Sequence, residues 1–353
     1  MHGYLKRANT FYLALAFIFL THRFFFDIYR LMAFQAVPFD DYAAYLLSFV
    51  TDNEAAFRGP WGYRVLPVLA SVPIYFVMPL YKFSNLEPSL YTDEYLRAMA
   101  SIAAMSYLSI VGSMVMVFRI STERLGSPFL PSIAASLAVF PALRFIAWGS
   151  VDTFSVLYIF VLIYFIENRR VFLPLMFLSV LVNEKVAIVF MAFWAVRSLA
   201  DRDAFIKAYW PQVVSAFIAF GLYFCMKAVV GLPEIRRTDL PVMAVSLVLS
   251  LKHTMTVKGM VTNIIPLAFA VILALIPGNA RGRRLLREPY NGRYDFLLPL
   301  MMFVVSGLFQ GFYNMGRIAA YSLPFFLPYL SIVLERIEAS ERASGGPLPP
   351  GDG

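Results

Sequence analysis

What most constrains this chain is a succession of apolar runs, each close to the length that crosses a bilayer, separated by short segments that hold most of the charge. A spanning helix needs about 20 apolar residues. Runs of roughly that length lie near 8–26, 97–118, 129–147, 152–166, 171–183, 186–200, 212–230, 257–276, 295–313 and 318–334. Of the 353 residues, 60% are hydrophobic and 15% charged, with a mean hydropathy of +0.68. A water-soluble core of this size would not hide that much apolar surface. The expected fold is therefore all-α, a polytopic transmembrane bundle of about 10 to 11 helices. One domain is expected over 1–338, with a disordered tail over 339–353 (the stretch ending GGPLPPGDG). Pairs such as 152–166 and 171–183 are short and must tilt or sit where the bilayer is thin.

The net charge of +8 raises nucleic acid as a partner. The basic residues instead fall between apolar runs, as cytoplasmic loops facing anionic lipid do, so the expected partner is the lipid bilayer and no nucleic acid. Cys225 is the only cysteine, which excludes an internal disulfide and a cysteine-based metal site. The N-terminus has a basic start (Lys6, Arg7) and an apolar stretch, but its Ala-Leu-Ala sits inside the apolar run, so it reads as a retained signal anchor. Placing the basic segments 119–126, 167–170, 197–207, 280–293 and 335–342 inside makes the ten runs alternate correctly. Residues 27–96 then lie outside. Within them, 62–81 is nearly long enough to span, and Pro67, Pro73 and Pro79 favour a broken or re-entrant segment.

Under this topology the unusual polar groups gather on one membrane face. Asp40 and Asp41 open DDYAAYLLSFV, an amphipathic helix suited to lie in the interface after the first span. Helix capping accounts for one aspartate. A carboxylate in that place can also act as general base, and the pair could hold a divalent cation through hard oxygen ligands, magnesium or manganese. Arg64, preceded by Tyr63 in RGPWGYR, can bind a phosphate in bidentate fashion or snorkel as an interfacial anchor beside Trp61. Arg144 lies inside an apolar run and needs a partner or a polar cavity. Asp152 closes the tight WGSVD turn, where it can cap the next helix or pair with Arg144. Glu184 and Lys185 sit between two apolar runs and should face the bundle interior, as an internal ion pair or with the lysine on a phosphate. Arg317 stands at the start of the last span. Jointly, Arg64, Arg144, Lys185 and Arg317 bring cations towards one face near two carboxylates, which suits an anionic headgroup on a lipid tail.

The order of FDDYAAYLL, GYRVLP, GSVD and NEK over roughly residues 1–200 resembles the GT-C class of integral membrane glycosyltransferases, most nearly in the layout of the GPI-anchor mannosyltransferases. That resemblance implies a polyprenyl-phosphate-linked sugar as donor and a glycan or glycolipid as acceptor. It also implies transfer outside the cytoplasm with inversion, in a plasma membrane of bacterial type rather than the endoplasmic reticulum. By the same resemblance Asp41 or Asp40 would be the base, with the other aspartate orienting it or binding a cation. Arg64, Lys185 and Arg317 would hold the donor phosphate, and Asp152 would line the cavity. Adjacent aspartates where relatives carry Asp-x-Asp, and NEK in place of their lysine motif, are departures that bear on the metal and the sugar. Three other classes stay open. A lipid-linked glycan polymerase or ligase would use a long external loop, for which 231–256 offers Arg236, Arg237 and His253. A transporter or flippase predicts internal repeats, and none is visible. A non-catalytic subunit would use every charge as an internal ion pair.

Overall fold

The computed structural model describes residues 10–25, 40–51, 64–78, 92–143, 152–199, 202–230, 240–277, 294–309 and 315–344. Among them the secondary structure is helical throughout, with no strand. The helices are α1 (Thr10–Thr21), α2 (Asp40–Val50), α3 (Val65–Val77), α4 (Asp93–Arg119), α5 (Phe129–Leu137, with a short continuation Val139–Leu143) and α6 (Asp152–Tyr164). They are followed by α7 (Arg169–Leu178), α8 (Glu184–Ser198), α9 (Arg202–Val230), α10 (Leu240–Thr254), α11 (Val257–Ala274, crossing a π-helical turn at Met260–Ile264), α12 (Leu297–Phe309), α13 (Met315–Ala319) and α14 (Leu330–Ser344).

By length and composition, three helices among the described residues can cross a membrane: Asp93–Arg124, Lys207–Met226 and Val257–Ala274. The last stretch, Met315–Phe325 with Leu327–Glu341, would be a fourth, although its halves bend by 54°. Shorter apolar helices (α1, α3, Phe129–Leu143, α6 and Leu297–Leu308) fill the bundle. Their lengths and composition leave a membrane-type bundle as the architecture. On α9, Trp210, Phe217, Ile218, Leu222 and Phe224 are exposed, an apolar face that belongs in lipid.

α4 is the axis. Thr92 caps it by accepting from the Tyr95 amide at 3.2 Å, Asp93 and Glu94 suit the positive end of its dipole, and Arg119 suits the other. A π-helical turn, Ile120–Arg124, extends it, so that the whole rises about 48 Å. It touches α1, α2, α3, α5 and α6. Small residues let those neighbours approach closely: a Cβ on Gly112 would lie 3.0 Å from Leu157 of α6. Polar ties cross the same seams, with Thr21 bonded to Tyr107 at 2.9 Å and Ser106 to Thr153 at 2.9 Å.

Three contacts fix how the ends line up. Arg124 pairs with Glu167 at 2.9 Å, Arg169 donates to the Ala208 carbonyl at 2.7 Å, and Arg197 pairs with Asp295 at 3.2 Å. The described parts of segments 119–126, 167–170 and 197–207 therefore meet at one end of the bundle, together with Asp295. Ser331 bonds to Ser127 at 2.8 Å, which brings the start of the last helix to the same end.

Several expectations change. The three-proline segment is one continuous helix over Val65–Val77, not a broken one. Pro67 falls in its first turn, where the missing donor costs nothing, and only Pro73 interrupts the interior ladder. Pro79 lies outside the described residues. Much of the expected loop 231–256 is α10, with Arg236 and Arg237 outside the described residues. The last apolar run is not one straight span: Pro324 and Pro328 turn it through two 3-10 segments. Helix α14 continues to Ser344, past the expected start of the tail.

Candidate functional site

Four helices present their first residues to one buried point. Arg64 is the residue before α3, Asp152 opens α6, Glu184 opens α8 behind its cap Asn183, and Arg317 is in the short α13. The acidic members and Asn183 follow helix-start rules, whereas Arg64, a cation with no side-chain cap bond, does not. Asn183, extended at φ −174°, accepts from the Lys185 amide at 3.1 Å, and the acidic residues sit where unpaired amides leave positive potential.

Asp152 is the hub. Lys185 Nζ lies 3.5 Å from its Oδ1, Arg64 Nη1 lies 3.9 Å from the same oxygen, and Arg317 pairs with Oδ2. The Asn183 amide donates to Asp152 Oδ1 at 3.1 Å and to Ser155 Oγ at 3.2 Å, which fixes the carboxylate on the α6–α8 seam. Arg64 also donates to Glu184 Oε1 at 2.9 Å and to the Tyr42 hydroxyl at 2.9 Å. Lys185 Nζ sits 5.3 Å from the centre of the Tyr321 ring, in the 3-10 segment after α13. Arg64 and Lys185 are 3% and 6% exposed, whereas the Arg317 side chain keeps 28% and so stands nearest the surface.

Three cations thus face two carboxylates among the described side chains. Buried Glu184 Oε2, Arg317 Nε and the Tyr321 hydroxyl have no hydrogen-bond partner among the described residues. Of these, Arg317 Nε and the Tyr321 hydroxyl are donors, while Glu184 Oε2 accepts. An arrangement rich in cations and idle donors is complementary to an anion.

Depth follows from α4. Ser106 on α4 bonds to Thr153, the neighbour of Asp152, so the hub lies level with Ser106. From there α4 rises about 27 Å to Arg124 and about 20 Å back to Asp93. α6 descends from the hub to the first end, where the Tyr164 carbonyl accepts from Arg124 at 2.7 Å. α3 runs the other way, since its Tyr75 ring lies 5.6 Å from Arg97 near the start of α4. Helix starts therefore meet from opposite directions, part-way along the longest helix.

Of the residues singled out in the sequence, Arg64, Asp152, Glu184, Lys185 and Arg317 come together. Arg144 and Tyr63 lie outside the described residues. Asp40 and Asp41 form the start of α2, but their side chains lie outside the described residues. Their neighbour Tyr42 reaches Arg64. No group of three or more His, Cys, Asp or Glu side chains able to hold a metal occurs among the described residues. Sequence reasoning missed Tyr42 and Tyr321 as members of the site. Tyr42 was visible only as part of an apolar stripe, and Tyr321 carried no signal among 20 tyrosines.

Fold and site define a class: a helical membrane-type bundle with a buried, cation-rich polar centre. Comparison with protein-family models, with curated proteins and with solved structures gives no match.

Proposed function

We propose that the chain is an integral membrane glycosyltransferase of GT-C layout, moving a sugar from a polyprenyl-phosphate donor to a glycan or lipid-linked acceptor outside the cytoplasm. The observation that carries this reading is the convergence of Arg64, Lys185 and Arg317 on Asp152 and Glu184 with polar atoms left over. Such a centre would seat the donor phosphate, stabilise the charge that grows on it as the glycosidic bond breaks, and exclude water. Asp152 and Glu184 would keep the cations aligned. Asp41 or Asp40 would take the proton of the acceptor hydroxyl, and the Tyr42–Arg64 bond supports this by bringing the start of α2 to the centre. Ten or eleven membrane helices and a basic end in the cytoplasm belong to this proposal; what supports it is that segments 119–126, 167–170 and 197–207 share one end.

The test is transfer from a radiolabelled polyprenyl-phosphate sugar by purified protein in nanodiscs. Asp41→Asn is expected to abolish transfer with insertion unchanged. Full activity in both Asp40→Asn and Asp41→Asn removes the catalytic assignment.

A second reading has its own support. Helix starts that meet from opposite directions part-way through a bundle are also how carriers hold anionic cargo. An anionic-lipid flippase would show lipid movement between leaflets, and no sugar transfer, in the same preparation.

A further inference from the structure

We propose that Asn263, on the π-helical turn of α11, is a positioning residue that sets Arg317 in the anion site; this rests on the phosphate-binding reading above.

Arg317 has the least secure footing of the three cations. It rides on α13, which has five residues (Met315–Ala319), and two of them, Met315 and Ala319, pack with Phe303 in a small cluster apart from the main core. A first-turn amide has no acceptor within its own helix. The Gly316 amide finds one on another helix: it donates to Asn263 Oδ1 at 3.2 Å. The other half of the same side chain donates to Thr254 Oγ1 at 3.0 Å, and that hydroxyl donates to the Ser250 carbonyl at 2.9 Å. This sequence of bonds runs from α10 through α11 to α13, and it dictates which way the Asn263 amide faces. Asn263 is fully buried.

The backbone fit is as specific as the bonds. A Cβ on Gly316 would lie 2.5 Å from the carbonyl oxygens of both Thr262 and Asn263. Those carbonyls belong to the π-helical turn Met260–Ile264, whose wider winding takes them out of the regular α-helical ladder. Only glycine lets α13 seat there. With Gly316 held by bond and by fit, the next residue is Arg317, so the α10–α11 hairpin decides where that guanidinium meets Asp152.

The experiment measures binding of farnesyl phosphate, a prenyl monophosphate, to the full-length protein in detergent by calorimetry, alongside the thermal midpoint of each variant. Arg317→Gln tests the site reading, and Asn263→Ala tests the inference. Asn263→Ala is expected to weaken binding about tenfold, and Asn263→Ala with Arg317→Gln to bind no worse than Arg317→Gln alone. A residue with only a structural role would lower the midpoint without changing affinity well below it. Thr254→Val, which keeps the packing volume and removes the far end of the bond sequence, is expected to weaken binding about threefold and serves if Asn263→Ala does not fold. Weakened binding in Arg317→Gln with wild-type affinity in Asn263→Ala and Thr254→Val overturns the inference alone. So does a double variant that loses the product of the two effects. Wild-type affinity in Arg317→Gln overturns the phosphate reading and the inference with it.

Discussion

Helix α8 carries buried charge at both ends, and the two ends are built differently. At its last turn, Arg197 meets Asp295 at 3.2 Å, one guanidinium against one carboxylate, both nearly inaccessible. At its first turn, about 20 Å away, Glu184 and Lys185 join Arg64, Asp152 and Arg317 in an unequal set. A matched pair needs nothing further once its geometry is satisfied. The unequal set has three cations against two carboxylates among the described side chains, an excess that an anion would balance. The comparison separates a balanced pair from an unbalanced cluster, though both are made of the same residue types on one helix.

The contrast can be broken most severely at the hub. Asp152→Ala leaves three cations to Glu184 alone, and it should destabilise the protein by about 3–5 kcal/mol, read as a lower thermal midpoint in detergent. An unchanged midpoint would mean that Asp152 does not compensate them. The next test treats the two ends alike by replacing each pair with apolar residues. Glu184→Leu with Lys185→Met should reduce prenyl-phosphate affinity by about tenfold, as one charged contact is lost and Arg64 loses the carboxylate that aligns it. Arg197→Met with Asp295→Leu should leave affinity unchanged and stability within about 1–2 kcal/mol, because a matched buried pair often exchanges for apolar packing at little cost. Equal losses at the two ends would erase the distinction. The smallest expected effect is at the rim of the set. Tyr42→Phe removes one hydrogen bond to Arg64, worth about 1 kcal/mol, and should weaken binding about fivefold without altering insertion.

Much of this was legible because charge is conspicuous in an apolar chain. Asn183-Glu184-Lys185 carries no turn chemistry, and Asp152 follows a tight turn, so both pointed inward on solvation cost alone. Three of the basic segments that alternation requires on one side, 119–126, 167–170 and 197–207, do share an end. What stayed hidden depends on signals that many residues share. Tyr42 and Tyr321 enter the site through a hydroxyl and a ring face, which single-sequence periodicity does not distinguish from packing. Prolines misled in both directions: Pro67 and Pro73 are absorbed in a continuous α3, whereas Pro324 and Pro328 bend a run that reads as one span. The difference is position within the hydrogen-bond ladder, which spacing alone does not give. Asn263 and Gly316 were invisible because their partnership joins two helices far apart in sequence.

The long helix α4 has one more consequence. On the proposed reading, with α4 crossing the membrane and the hub level with Ser106, an anion seated there would lie part-way down the transmembrane voltage. One elementary charge crossing the full thickness gains or loses about 2.3 kcal/mol per 100 mV, and the distance from Asp93 to Ser106 is roughly two-fifths of α4. With the basic end in a negative interior, a singly charged headgroup entering from the Asp93 side would move against the field by on the order of 1 kcal/mol. An energised membrane would then hold its ligand several-fold more loosely than a de-energised one, making occupancy of this centre a function of the cell's electrical state.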